Sequence, residues 1–188
     1  FEQKIKWISI SGIDNIILDI IDPLFIGLCA YNKSDIAAKS IAKSDMNNSE
    51  WIFANVDSKT NIISPSYLSD DMINQRHENG FHCYNQINIL SHLFTTEAFI
   101  KSENIDLPYH RAYKKSHYIN DEGMKIVPIS PNSFKFEKFI FDVFKFFDTF
   151  TLLEVEPQLE FAPIKAFTGN ATPETALELY LNKMQNLK

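Results

Sequence analysis

Apolar positions along this chain recur at two spacings, and the changes from one to the other mark the elements. Trp7–Ser11 (WISIS) alternates apolar and hydroxyl side chains and halts at Gly12, the pattern of a strand ending in a turn. Asp14 and Asn15 then fall just beyond the strand's carboxyl end, the edge at which open α/β sheets bind ligands. The dense apolar segment that follows is interrupted by Asp22 and Pro23, and a proline forces a break; a short buried helix is expected from there through Cys29. Ala37–Lys43 and Trp51–Val56 read as strands separated by the polar loop SDMNNSE, and the tight turn DSKT leading into NIIS predicts a hairpin. SPSYLSDDM carries turn and helix-start signals, and HENG is a loop. The stretch FHCYNQINILSHLFTTEAFI begins strand-like and passes into helical spacing, with Ile89, Leu93, Phe94 and Phe99 on one side.

The stretch FKFEKFIFDVFKFF, Phe134 to Phe147, is the most aromatic part of the chain. Read as a helix at about 100° per residue, it puts Phe136, Phe139, Ile140, Val143, Phe144 and Phe147 on one stripe. Burying such side chains stabilises a fold by roughly 1.5–3 kcal/mol each, so the stripe is core by default. Phe134 and Phe141 point away from it and need another cover. The connector DEGMKIVPISPN before it turns at Gly123. TFTLLEVEP reads as a strand ended by Pro157, and TPETALELYLNKMQNLK as a terminal helix, with Thr172 before Pro173, acids early and lysines late.

Strands and helices alternate without internal repeats, which makes the class α/β: a mixed β-sheet flanked by helices. With 188 residues, 45% hydrophobic and 22% charged, the chain is long enough for one sizeable core. A formal net charge of −6 argues against a broad grip on nucleic acid or an anionic membrane, so no partner of either kind is expected and any phosphate binding must be local. The one basic cluster, HRAYKKSH (His110 to His117), reads as a solvated loop. Cys29 and Cys83 are too few for a disulfide framework, which fits buried thiols of a reducing compartment and a cytoplasmic location. No apolar run approaches the roughly 18 residues that span a bilayer. The chain opens on FEQKIKWISIS without an initiator methionine, which suggests a piece of something longer.

Standard catalytic patterns are missing: the chain has no phosphate-cradling glycine loop, no paired metal histidines and no nucleophile elbow. The five histidines, at positions 77, 82, 92, 110 and 117, are scattered, and no metal site is predicted.

Longer blocks carry a resemblance. GIDNIILDIIDPLFIGLCAYNKSDIAAK, YNQINILSHLF, PNSFKFEKFIFDVF and EVEPQLEFAPIKA resemble, in order and spacing, segments of the eukaryotic UDP-N-acetylhexosamine pyrophosphorylases. The resemblance implies a nucleotide-diphospho-sugar transferase fold of Rossmann-like type. It also implies uridylyl transfer from UTP to N-acetylglucosamine 1-phosphate, with Mg²⁺ as cofactor and those two molecules as substrates. Residues 1–157 would then be the C-terminal part of the catalytic domain, and 158–188 the start of the C-terminal region. The family's glycine-rich UTP loop would lie upstream, and the chain alone is expected to be inactive.

Carried over residue by residue, the resemblance places Asp14, Lys135 and Lys165 at the nucleotide phosphates and Asn88, Phe139 and Phe141 at the sugar. Without it, Asp14 also reads as a turn-capping residue and the two lysines as solvated. Of the phenylalanines, Phe141 lies off the predicted stripe and is the better pocket wall; Phe139 would support it. Several positions depart from the family. Ser64 stands for a glutamate that contacts sugar hydroxyls, Gln86 and Ile87 for Ala-Gly, and Trp51 for a glycine against the sugar. These changes keep open a UDP-glucose or broader UDP-sugar pyrophosphorylase, and also a non-catalytic sugar-nucleotide-binding relative.

Overall fold

In a computed structural model of the chain, residues 4–42 and 50–186 are described. Lys43 of the predicted second strand and most of the SDMNNSE loop fall outside them. The first strands are β1 (Trp7–Ser11), β2 (Ile36–Ala42), β3 (Ile52–Val56), β4 (Lys59–Ile63) and β5 (Gln86–Thr95). After these come β6 (His110–Lys114), β7 (Tyr118–Ile119), β8 (Lys125–Ile126), β9 (Ser133–Glu137) and β10 (Phe150–Glu154). The helices are α1 (Pro23–Tyr31), α2 (Asp70–Ile73), α3 (Thr96–Ser102), α4 (Pro157–Glu160) and α5 (Pro173–Asn186). The expected α/β class holds: a six-stranded mixed sheet in the order β10-β2-β5-β3-β4, with β1 also on β5, is flanked by helices.

β5 organises this sheet. β2 occupies one of its edges along the whole length, from Ile36 opposite Phe94 to Ala42 opposite Gln86. The other edge is shared. β1 pairs along Ser91–Thr95, whereas β3 joins at Ile87. The handover falls at residues 88–90, where Gly12 N–H donates to Leu90 O and Asn88 N–H donates to Trp51 O, each at 2.9 Å. The chain leaving β1 and the chain entering β3 therefore part at one place along β5.

β5 corrects the expected passage into a helix: Ile89, Leu93 and Phe94 belong to a ten-residue strand, and only Phe99 lies in the helix that follows. The pattern mimics a helix because the strand bulges. Ala38 pairs with His92 but Ser40 with Asn88, so β5 spends two more residues than β2 over this interval, and Leu90 adopts φ +54°. A bulge of this kind interrupts the period-two alternation.

Alternation along β2 sends Ile36 and Ala38 to one face, where they pack with Phe94, Phe141, Val143, Phe144 and Phe147. Ala37 goes to the other, against Phe25 and Cys29 of α1 and Leu93. Asp22 caps α1 by accepting from Leu24 N–H and Phe25 N–H, so the predicted break is a helix start. Lys39 of β2 is fully buried and pairs with Asp22 at 2.7 Å and Glu160 at 2.8 Å. The expected hairpin is formed by β3 and β4, with Asp57 and Ser58 at φ +51° and +62° in its turn.

Two further expectations are corrected. Residues 134–147 are not one helix: β9 is followed by a 3₁₀ segment, Ile140–Phe146. Phe136 of the supposed core stripe is 58% exposed, whereas Phe141, placed off it, is 4% exposed and belongs to the core. The HRAYKKSH cluster is no loop at its start, since His110–Lys114 pairs antiparallel with β9 as a two-stranded ribbon. β10 ends at Glu154, three residues before the expected stop at Pro157, which instead opens α4; α4 and α5 then return to the segment following β1. There Ala162 and Ala176 pack on Ile17, and Asn15 donates to Glu160 O and accepts from Ala162 N–H.

Candidate functional site

Asp14 follows β1 at the point where β1 and β3 part. A Cβ on Gly12 would lie 2.7 Å from Asp14 Oδ1 and 3.2 Å from Leu90 Cδ2, so glycine is required for the carboxylate to fold back there. Asp14 O accepts from Ile164 N–H at 2.9 Å, which brings the segment after α4 alongside and places Lys165 Nζ 3.9 Å from Asp14 Oδ2. Both side chains remain partly exposed. An ammonium at this separation is loosely held and free to engage an anion.

Asn88 sits on the same stretch of β5. Its Oδ1 accepts from Leu90 N–H at 3.0 Å and lies 3.0 Å from Nε2 of His92, while its amide nitrogen has no partner among the described residues. Next to it is a group of rings. Trp51 lies 5.2 Å from each of His110, Phe139 and Phe141, and Phe139 stacks on Phe141 at 4.9 Å with an interplanar angle of 10°. His110 Nε2 is 2.7 Å from Asp142 Oδ2, which fixes the imidazole against Phe139. Phe141, expected to be the more open of the pair, is buried in the core, and Phe139, expected to lie beneath it, is the less buried.

Lys135 pairs with Glu137 at 2.8 Å on its own strand and touches none of the other expected residues. It does share a ribbon face with His110: cross-strand partners project to the same side, and His110 opposes Glu137 while Ala112 opposes Lys135. Because His110 reaches Trp51 and Phe139, that face is the one turned toward the rings. Phe134 lies on the opposite face with Tyr113 at 4.7 Å and Arg111 over its ring.

The departures from the family pattern have structural occupations. Ser64 caps the turn at Pro65–Tyr67 and bonds Ser66 Oγ at 2.8 Å. Gln86 accepts from Ser40 Oγ and donates to Glu154, and Ile87 is buried in the core with Ile52. Trp51 stands at the centre of the ring group. In the sequence His92 and His110 read only as scattered histidines, and Asp142, the partner of His110, was not singled out. A histidine four residues after Asn88 was visible, but nothing in a sequence announces the bulge that joins the two.

Known proteins sharpen the reading. No protein-family model matches the chain. It is 36% identical over 179 residues to a UDP-N-acetylhexosamine pyrophosphorylase-like protein 1 of Xenopus tropicalis, covering 93% of this chain and 35% of that protein. The Homo sapiens protein of the same name is 34% identical over 175 residues, covering 91% and 34%. By sequence, the chain is a relative of the UDP-N-acetylhexosamine pyrophosphorylases. A solved structure, assigned as a UDP-N-acetylglucosamine pyrophosphorylase from Entamoeba histolytica, superposes with a TM-score of 0.84 at 26% identity, covering 94% of this chain and 44% of that one. The chain thus spans about a third of the length of the curated pyrophosphorylases it matches. No helix among its described residues is long and apolar enough to cross a membrane.

Proposed function

We propose that the protein carrying this chain transfers a uridylyl group from UTP to N-acetylglucosamine 1-phosphate, and that this chain supplies the sugar side and part of the phosphate side of the site. The observation that carries the reading is the meeting of Asp14 and Lys165 beside the strand segment that presents Asn88, with Phe139 and Trp51 next to it. A sugar phosphate laid across this edge would set its phosphate by the ammonium and its ring by the amide and the aromatic wall. A phosphate oxygen of the sugar attacks the α-phosphorus of UTP, the bond to the β-phosphate breaks, and pyrophosphate leaves. Positioning and charge neutralisation supply most of what such a transfer needs.

Lys165 and Lys135 are the cations offered to the phosphates. Mg²⁺ is commonly held by one or two carboxylates together with substrate phosphates, and Asp14 is the carboxylate that would hold it here. Mg²⁺, when bound, would neutralise charge on the triphosphate. A cytoplasmic setting is supported by two unpaired cysteines, Cys29 and Cys83.

Two features favour a second reading. Trp51, packed against three rings, and Ser64, already tied to Ser66, narrow what the sugar side can accept. A hexose 1-phosphate without the N-acetyl group, or a bound sugar nucleotide that is never turned over, is the alternative.

Pyrophosphate release by the protein carrying this chain, measured with each of the two sugar phosphates, tests both. Preference for N-acetylglucosamine 1-phosphate supports the first reading, preference for glucose 1-phosphate the second, and no release with retained UDP-sugar binding a non-catalytic relative. Lys165→Ala should lower the rate about 10- to 150-fold, the worth of a charge-assisted hydrogen bond, without moving the melting temperature. A collapse in melting temperature would show a structural lysine instead.

A further inference from the structure

His92 is fully buried, with its ring edge-to-face on Phe144 at 5.0 Å and Phe141 at 6.3 Å. Its Nε2 is 3.0 Å from Asn88 Oδ1, and its Nδ1 is buried with no hydrogen-bond partner among the described residues. The same Oδ1 already accepts from Leu90 N–H. A carboxamide oxygen cannot donate, so Nε2 of His92 carries the proton and Nδ1 is bare. Burial pushes the imidazole down to about 3, so the ring stays neutral.

The contact exists only because of the bulge. In a regular strand the Cα atoms of residues four apart are about 13 Å from each other. The left-handed turn at Leu90 and the two extra residues shorten that path until side chains at 88 and 92 meet. Both donors converge on one end of the Asn88 amide, and the other end is left open.

We propose that His92 is a positioning residue: together with Leu90 N–H it locks the Asn88 carboxamide with its oxygen turned inward and its NH₂ outward. Asn88 is thereby a hydrogen-bond donor only, and what it recognises on the ligand is an acceptor oxygen. The identity of that ligand as the sugar of a UDP-sugar rests on the function proposed above; the lock itself does not.

The experiment is side-chain NMR on the protein that carries this chain, labelled with ¹³C/¹⁵N at histidine and asparagine, with and without UDP-N-acetylglucosamine. The expected wild-type result is a His92 ring protonated at Nε2 and non-titrating between pH 5 and 8, beside a rigid Asn88 amide. His92→Phe keeps an aromatic ring but removes the donor, and should leave the amide mobile and weaken the ligand about three- to tenfold. His92→Gln returns an N–H near the position of Nε2 and should restore both. A protonated Nδ1, or an Asn88 amide equally rigid in His92→Phe, overturns the lock whatever the ligand does. Equal affinity in wild type and His92→Phe despite a loosened amide overturns the positioning role while leaving the functional reading intact. If the wild type binds no UDP-sugar but the amide loosens in His92→Phe and recovers in His92→Gln, the lock stands and the functional reading falls.

Discussion

Replacing Lys39 by methionine tests how the segment after β1 is tied to the sheet. The ammonium is buried in the middle of β2, 2.7 Å from Asp22 Oδ2, 2.8 Å from Glu160 Oε1 and 3.5 Å from Asp19 O, with its Nζ 5.6 Å from the centre of the Phe25 ring. Glu160 is itself buried, and its second oxygen accepts from Asp19 N–H at 3.1 Å. Methionine fills most of the lysine's volume, so the loss is electrostatic: two carboxylates remain beside an apolar side chain with no cation between them. Removing one partner of a buried ion pair costs about 3–5 kcal/mol. At about 2–4 °C per kcal/mol for a chain of this size, the melting temperature should fall by roughly 6–20 °C. Urea titration at pH 7 measures the first quantity and calorimetry the second. Adding Glu160→Gln removes one stranded charge but keeps an acceptor for Asp19 N–H, and should recover more than half of the loss. A single-variant loss below about 1 kcal/mol, or a double variant no better than the single, would refute the account of Lys39 as the cation that makes this burial tolerable.

Three smaller effects follow from the same geometry. His92 has a folded pKa of about 3, below its ordinary 6.5, so the unfolded chain takes up a proton that the native state refuses. Stability should fall as pH drops from 6.5 toward 3, by about 1.4 kcal/mol per unit and about 2 kcal/mol between pH 7 and 5; urea titrations of His92→Phe should lack that part of the loss. Ser58→Gly removes a side chain from a left-handed turn position, giving the Asp-Gly pair such hairpins favour, and should raise unfolding stability by about 0.5–1 kcal/mol in the same assay. Burial, with Asp35 nearby, pushes the Cys29 thiol up to about 11, so at pH 8 iodoacetamide should label Cys83 and spare Cys29 in the folded chain, as read by mass spectrometry.

Much of the sheet could be read from alternation alone: β1, the β3–β4 hairpin, β10 and the start of α1 at Pro23 all lie where their patterns predict. Two failures share a physical cause. Around Leu90 the bulge puts consecutive buried residues on a strand, and from Phe134 to Phe147 an alternating strand runs straight into a 3₁₀ turn; each imitates a helical stripe. The candidate site divides in the same way. Asp14 was legible because a strand end is a local feature, but its approach to Lys165 depends on α4 bringing back a segment some 150 positions later. Lys39 in IAAKSIA was read only as part of a strand; that it is buried, and that Asp22 and Glu160 pair with it, could be known only from the fold.

The kink at Leu90 separates two things. The direction in which Asn88 offers its amide is set by main-chain shape and by a histidine inside the core. The room beside it is bounded by Trp51, which packs on Phe139 and Phe141. Under the function proposed above, trading bulk at Trp51 would change the room for the sugar, while Leu90 N–H and His92 would still hold the Asn88 amide from the strand itself.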